Sequence, residues 1–313
     1  MNRRTILVYV WIILMGALAS LYYARQTFPA CLDYCGDAHR AIINGTADSP
    51  HNYRVLAPLI VEALFQPTTP TGVAIGYTVA HFVALPVMLL SVFAWYRRWV
   101  SEASALIGVL FIVAYSPIMF GVYAISLNNP VEVIILCAGL LWLSGGRDGV
   151  VYGALVIVGT LNRETAILLP LAYAALHWRE WRSPRIVTKA GIYAAAWAAV
   201  FVGLRLWRGA SPDQVTVAQA VAANFGGSWV TTEAMLNHVF VLPLWALALM
   251  GIRHTPEPLR VLALIGVPYT GLLAVFALWN ETRLLLPLFV LWMPFALNAI
   301  SEQQPVELKE MTF

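Results

Sequence analysis

The sequence predicts an all-α, polytopic transmembrane protein. Of its 313 residues, 60% are hydrophobic and only 11% are charged, which is less than half the charged share of an average soluble domain. Apolar runs of membrane-spanning length recur along the whole chain. In lipid such runs must be helical, because each backbone hydrogen bond has to be made within the segment. We therefore expect a single integral-membrane domain over residues 1–313.

Ten apolar segments can be distinguished, and some are too short to cross a bilayer fully. They are residues 5–24, 71–95, 103–123, 131–144, 149–161, 165–177, 188–207, 238–252, 259–279 and 284–300. Between them the sequence predicts a first outer loop at 25–54, a second at 209–237 and a cytoplasmic tail at 301–313. Within the first loop we expect two short interfacial helices, one ending at Gly45 and one over residues 55–65.

The basic residues predict the orientation of the chain. When the ten segments alternate, most lysines and arginines fall on one side, and that side is the cytoplasm by the positive-inside rule. These residues are Arg3, Arg4, Arg97, Arg98, Arg147, Arg179, Arg182, Arg185, Lys189, Arg253, Arg260 and Lys309. Both termini are then cytoplasmic, and the protein is expected in the cell (inner) membrane.

The same alternation gathers the polar clusters on the outer side. Three of them interrupt apolar sequence: Asn128-Asn129-Pro130, Asn162-Arg163-Glu164 and Asn280-Glu281-Thr282-Arg283. Asn129, Asn162 and Asn280 are suited to cap the helices that follow. Helix N-termini facing outward favour an anion, because their N–H groups and dipoles carry partial positive charge.

Two carboxylates in the first loop are candidate general bases. Asp33 and Asp37 lie one helical turn apart if the segment is helical, so both would face one cavity. Asp37 is favoured, with His39 and Arg40 beside it as supporting residues, because such a carboxylate can deprotonate a hydroxyl. The alternative is a pair of interfacial acids that bind arginine and face water.

Three arginines are candidate phosphate ligands. Arg54, preceded by Tyr53, stands at the entry to the predicted 55–65 helix. Arg163 and Arg283 each lie beside an acidic residue, Glu164 and Glu281. Ionisable groups at membrane depth are usually functional, and guanidinium binds phosphate bidentately. The alternative is a set of local ion pairs, Arg163 with Glu164 and Arg283 with Glu281, that hold helix ends together.

Two cysteines of the first loop raise a choice between a disulfide and a metal site. Cys31, Cys35 and His39 are spaced by four, which would align them on one helical ridge. Three ligands in a row on one helix rarely enclose zinc. We therefore favour a disulfide, and expect no metal site and no cofactor.

The order of these features resembles the polyprenyl-phosphate-sugar-dependent glycosyltransferases of the GT-C superfamily, including uncharacterised bacterial and archaeal members. In these enzymes a first spanning helix precedes an outer loop with an acidic residue and interfacial helices, and later short helices carry Arg and Glu at their outer ends. The residues that carry the resemblance are Asp37, Tyr53-Arg54-Val55-Leu56-Ala57-Pro58, Asn162-Arg163-Glu164-Thr165, and Glu281-Thr282-Arg283 followed by Leu286-Pro287. The chain is shorter than many members, which leaves the acceptor open.

The resemblance implies inverting transfer of a sugar from a polyprenyl-phosphate donor to an acceptor hydroxyl at the extracytoplasmic face, without a metal. Asp37 would be the base, and Arg54, Arg163 and Arg283 would bind the donor phosphate. Asn162, Glu164, Asn280 and Glu281 would support them. The partners would be the donor, membrane lipid and a glycan, lipid or protein acceptor of the cell envelope, with no nucleic acid. The alternatives are a secondary transporter for an anionic solute and a non-catalytic membrane assembly subunit.

Overall fold

A computed structural model describes residues 3–120, 127–209, 211, 216–225, 232–276 and 281–300. Within them the regular elements are helices and no β-strand occurs. The first half contains α1 (Arg3–Asn44), α2 (Leu56–Phe65), α3 (Pro70–Tyr96), α4 (Glu102–Phe120), α5 (Asn128–Ser144) and α6 (Val150–Asn162). The second half contains α7 (Leu168–Leu176), α8 (Pro184–Arg208), α9 (Val217–Phe225), α10 (Thr232–Gly251), α11 (Glu257–Leu264), α12 (Gly266–Phe276) and α13 (Leu286–Ile300). Short 3-10 turns lie at His51–Tyr53, Glu164–Ile167, Trp178–Glu180, Ile252–His254 and Thr282–Leu285.

Five helical segments of the described chain are long and apolar enough to cross a membrane. They are Thr5–Asn44, Pro70–Tyr96, Pro184–Arg208, Glu257–Phe276 and Arg283–Ile300. Shorter apolar helices are Leu56–Phe65, Glu102–Ser116, Asn128–Ser144, Val150–Asn162 and Glu164–Leu176. The predicted helical class is confirmed, and the five long helices have the length and composition found in polytopic membrane proteins.

Residues 25–44, which we predicted to lie in a first outer loop over 25–54, are helical. We expected a separate short helix ending at Gly45, but α1 runs without interruption from Arg3 to Asn44 and has Pro29 inside it. Its polar residues do not mark a loop, because Asp33, Asp37 and Arg40 share one exposed face while the opposite face is buried against α3. The predicted end of the helix at Gly45 is correct, because α1 ends at Asn44. Gly45 has a φ of 75°, which glycine adopts at little cost.

The predicted caps differ from the structure. The residue that caps α5 is Leu127, without a side-chain hydrogen bond, and Asn129 lies inside the first turn. Asn162 is the last residue of α6 rather than the cap of the next helix. Its side chain instead donates to the backbone oxygen of Asn128 at 2.8 Å. The polar side chains therefore join helix ends to one another instead of capping single helices.

Close packing joins the long helices. A Cβ at Gly16 would lie 2.7 Å from the Cα of Pro86, so a glycine is needed where α1 crosses α3. At the C-terminal end of α3, the Trp95 indole donates to the backbone oxygen of Val290 at 2.8 Å and the Tyr96 hydroxyl donates to that of Phe289 at 2.9 Å. Small residues at crossings and buried aromatic donors are typical of helix packing in membranes.

Contacts between helix termini define two ends of the molecule. Helix α8 has 25 residues and is therefore about 37 Å long. At its last residue, the Arg208 guanidinium donates to the backbone oxygens of Ile42 and Ile43 at 2.8 and 3.0 Å. Its first residues lie at the opposite end, where Lys189 pairs with Asp148 at 2.6 Å. We call these the cavity end and the basic end.

Candidate functional site

A cavity of about 460 Å³ lies at the cavity end. Its walls come from the last turns of α1, the 45–55 loop, the start of α2, the start of α5 and the segment before α13. The lining residues are Tyr34, Ala38, Ala41, Ile42, Thr46, Ala47, Asp48, His51, Arg54, Ala57, Pro58, Asn128, Glu281 and Arg283. Their apolar and ionisable side chains, together with this volume, are typical of a small-molecule site.

The 45–55 loop is held in place by the segment that follows α8. The Tyr53 hydroxyl donates to the backbone oxygen of Gly209 at 3.0 Å, and the Ser211 hydroxyl donates to that of Ala47 at 2.6 Å. The Arg205 guanidinium lies 4.5 Å from the centre of the Tyr53 ring. These contacts fix the backbone from which Asp48, His51 and Arg54 reach the cavity, so Tyr53 has a supporting role.

Arg54 is buried and pairs with Glu164, across 110 positions of the chain. Its Nε donates to one carboxylate oxygen at 3.3 Å, and its Nη2 donates to the other. The Trp197 indole donates to the backbone oxygen of Glu164 at 3.1 Å, which fixes that residue from a third element. This bidentate pair joins the first loop to the break between α6 and α7.

Arg163 is 1% exposed and does not line the cavity. Its Nη1 donates to Glu132 at 2.7 Å and to the Asn129 side-chain oxygen at 3.0 Å. The Thr165 hydroxyl donates to the other Glu132 oxygen. In the described part of the chain, Nε and Nη2 of Arg163 and Nδ2 of Asn129 have no hydrogen-bond partner. A buried N–H group without an acceptor destabilises the folded state, unless a ligand or a water molecule accepts a hydrogen bond from it.

Arg283 lines the cavity and pairs with Glu281 through Nε at 3.2 Å and Nη2 at 2.8 Å. This is the local ion pair that the sequence offered as an alternative. The alternative is wrong for Arg163, whose carboxylate partner is Glu132 rather than its neighbour Glu164. Two of the three predicted arginines, Arg54 and Arg283, thus reach one cavity, and the third lies behind its wall.

His51 is an uncharged group between these arginines at neutral pH. Burial, together with the positive charges of Arg54, Arg283 and Arg163, lowers the pKa of its imidazole from 6.5 to about 4. The negative charge of Glu281 acts in the opposite direction. A neutral imidazole offers one donor and one acceptor nitrogen, which suits hydroxyl groups of a ligand.

The predicted bases Asp33 and Asp37 lie outside the cavity lining. Asp37 is on the exposed face of α1 and accepts a hydrogen bond from Arg40 at 2.6 Å, with 83% of its side chain exposed. Asp33 lies one turn earlier on the same face. Our expectation that Asp37 shares a cavity with the arginines is not met, because the continuous helix turns Ala38 and Ala41 toward the cavity instead.

His39 and the cysteines belong to a separate cluster on the buried face of α1. The two imidazole nitrogens of His39 lie 3.2 Å from the Tyr77 hydroxyl and 3.0 Å from Glu62. Cys31 and Cys35 form a disulfide, which is the favoured of the two predicted alternatives. His39 therefore connects α1 to α2 and α3 and does not reach the cavity.

Among the polar residues that line the cavity, Asp48, His51 and Asn128 were not predicted as site residues. Asp48 and His51 lie in a polar stretch in which nothing distinguishes one polar residue from another. Asn128 had a usable signal, since it belongs to the polar Asn128-Asn129-Pro130 cluster that precedes a predicted helix. Asn280 lies outside the described residues.

Comparisons of the chain with protein-family models, with curated proteins and with solved structures find no match.

Proposed function

We propose that this protein is a membrane glycosyltransferase of GT-C type. It moves a sugar from a polyprenyl-phosphate donor to an acceptor hydroxyl at the extracytoplasmic face, with inversion and without a metal. The observation that carries the proposal is the cavity in which Arg54 and Arg283 lie with Asp48 and His51. It combines cations for a phosphate, a carboxylate for a hydroxyl and space for a sugar. Its place at one end of the helices favours this activity over transport, which uses a site near the midplane.

The arginines would bind the donor phosphate. A donor phosphodiester carries one negative charge, and the phosphate gains a second as the bond to the sugar breaks. Arg54 and Arg283 line the cavity in ion pairs, so they suit the singly charged donor. Arg163 and Asn129, with their unpaired N–H groups, offer further donors as charge develops. Interactions that strengthen in this way accelerate the chemical step.

The acceptor would be activated by a carboxylate. The acceptor oxygen attacks the anomeric carbon opposite the phosphate, its proton passes to the carboxylate, and the electrons of the breaking carbon–oxygen bond go to the phosphate. Asp48 is the carboxylate that lines the cavity outside the arginine pairs. Asp37 and Asp33, on the outer face of α1, are the alternative bases.

The membrane arrangement is part of the proposal. We propose ten membrane segments, both termini in the cytoplasm of a cell-envelope (inner membrane) protein, and the cavity end facing outward. The described contacts support alternation, since Arg54, Arg163 and Arg208 join segments that we predict to be outer, and Arg283 lines the same cavity as Arg54. The partners would be the lipid-linked sugar, membrane lipid and a glycan, lipid or protein acceptor.

The first test is donor turnover by purified protein, using polyprenyl-phosphate monosaccharides with a labelled sugar. Loss of a general base costs ~10²–10⁴-fold in rate, so Asp48→Asn should lower turnover by that amount. Asp148→Asn, which lies in an ion pair at the basic end, is the matched control. If Asp37→Asn or Asp33→Asn is the damaging change instead, the base lies on the outer face of α1. If wild-type protein turns over no donor, the proposed function is wrong.

A further inference from the structure

The turn between α7 and α8 has a fixed backbone at the basic end. The backbone N–H of Glu180 donates to the oxygen of His177 at 2.8 Å, and that of Ser183 donates to Glu180 at 2.8 Å. Pro184 then begins α8. The side chains of this turn are therefore presented from a defined surface and not from a long loop.

The turn carries arginines that other side chains do not neutralise. Arg182 and Arg185 are exposed, and neither has an ion-pair partner in the described ranges. Arg179 pairs with Glu257 at the start of α11 at 2.6 Å, with 68% of its side chain still exposed. That pair brings the exposed Arg253 and Arg260 to the same end. This surface thus carries five arginines and two glutamates, Glu180 and Glu257, and has an excess of positive charge.

Two tryptophans stand among these arginines with about half of each residue exposed: Trp178 at 52% and Trp181 at 57%. The Trp181 indole donates to the backbone oxygen of Ala174 at 3.0 Å, which fixes its ring. The Arg179 guanidinium lies 5.5 Å from the centre of the Trp178 ring. Exposed apolar side chains lie near these arginines in the sequence. Val187, two residues after Arg185, is 51% exposed, and Leu264, four residues after Arg260, is 62% exposed.

We infer that this surface, formed by residues 178–185 with Arg253 and Arg260, binds the headgroups of anionic phospholipids. Its charge is complementary to a phosphate-bearing bilayer surface, and half-exposed tryptophans prefer the boundary between headgroups and hydrocarbon. The exposed Val187 and Leu264 place hydrocarbon-facing surface next to the cations. A phosphate free in solution would use the arginines but leave the tryptophans and apolar side chains in water. The occupant is therefore a lipid, and this inference does not depend on the proposed function.

The test measures binding of short-chain phosphatidylglycerol and phosphatidylcholine to the full chain in uncharged detergent at low salt. One basic side chain near an anionic lipid surface contributes about 1 kcal/mol, or about fivefold in affinity. Arg182→Gln with Arg185→Gln should therefore lower affinity for phosphatidylglycerol by about 25-fold and leave phosphatidylcholine unchanged. The control is Arg25→Gln, at an exposed arginine of α1 outside this surface, which should keep wild-type affinity.

Any one of three results would overturn the inference. The first is equal binding of both lipids by the wild-type protein, and the second is equal affinity of the double variant and its control for phosphatidylglycerol. The third is displacement of the lipid by inorganic phosphate at equal concentration. The last result would indicate a site for free anions. Raising the salt concentration to 0.5 M should weaken the preference for phosphatidylglycerol, because exposed charges are then screened within about 4 Å.

Discussion

At the scale of single residues, each of the buried arginines Arg54, Arg163 and Arg283 pairs with a carboxylate that would compete with an anionic ligand for it. Arg54 uses Nε and Nη2 for Glu164. Glu164→Gln removes the competing charge, so phosphate should bind Arg54 more tightly. Charged hydrogen bonds contribute about 1.5–3 kcal/mol, which corresponds to at least about tenfold in affinity. The same change should destabilise the free protein by about 3–5 kcal/mol, because Arg54 is left buried without a counter-charge.

The measurement is the thermal transition of the detergent-solubilised variant at increasing concentrations of an alkyl phosphate. Phosphate should restore much of the lost stability, since a ligand that binds only the folded state stabilises it. Glu62→Gln is the matched control, because Glu62 is the partner of His39 and lies outside the cavity lining. A Glu164→Gln protein that is destabilised but gains no phosphate affinity would show that Arg54 is structural.

The sequence predicted the arginines of the site better than it predicted which carboxylates they bind. Arg163 and Arg283 stood out because charged residues that interrupt apolar sequence are usually functional. Arg54 stood out because it lies at the entry to the predicted 55–65 helix. That Arg163 binds Glu132 and Arg54 binds Glu164 could not be read from the chain, because both pairs depend on how distant helix ends meet. Asp48 was not predicted, because a carboxylate in a polar loop is common and carries no signal of function.

At the scale of elements, the end of α1 and the end of α8 stabilise each other. A Cβ at Gly45 would lie 3.0 Å from Nη1 of Arg208, the atom that donates to Ile42 and Ile43. The positive φ of Gly45 adds a backbone cost of about 1–2 kcal/mol for alanine. Gly45→Ala should therefore lower the thermal transition and weaken phosphate binding together, because the 45–55 loop starts here.

The control for this prediction is Gly191→Ala in α8. A Cβ at Gly191 would meet nothing within 4 Å, and alanine is favoured over glycine in a helix by about 1 kcal/mol. Gly191→Ala should leave the thermal transition unchanged or raise it. If both variants behave alike in the thermal scan and in phosphate titration, the contact with Arg208 has no role in shaping the loop.

The helices themselves were predictable where apolar periodicity or length decided them. Helix α3 was expected over 71–95 and spans Pro70–Tyr96, and α2 was expected over 55–65 and spans Leu56–Phe65. The continuity of α1 was not predicted: residues 37–44 were expected as a separate short helix and residues 25–36 as loop, because their composition is polar, whereas α1 runs unbroken to Asn44. Asp33, Asp37 and Arg40 lie on one exposed face of this longer helix. A charged face outside the protein is compatible with a helix that continues beyond a membrane.

At the scale of the whole molecule, the two ends differ in the burial and the pairing of their arginines. At the cavity end, Arg54, Arg163 and Arg283 are buried and matched by carboxylates. At the basic end, Arg182 and Arg185 are exposed and have no such partner in the described chain. Enclosed charges suit a bound ligand, and unmatched exposed ones suit an anionic membrane surface.

This difference predicts the orientation of the protein, because unmatched arginines are retained on the cytoplasmic side. Asp48→Cys and Arg182→Cys, made separately in a chain lacking Cys31 and Cys35, report on the two ends. An impermeant thiol reagent should label Asp48→Cys in intact cells and Arg182→Cys only after the membrane is permeabilised. Cys137 is 0% exposed and serves as an unreactive internal control. Labelling of Arg182→Cys alone in intact cells would put the cavity in the cytoplasm, where an extracytoplasmic acceptor cannot reach it.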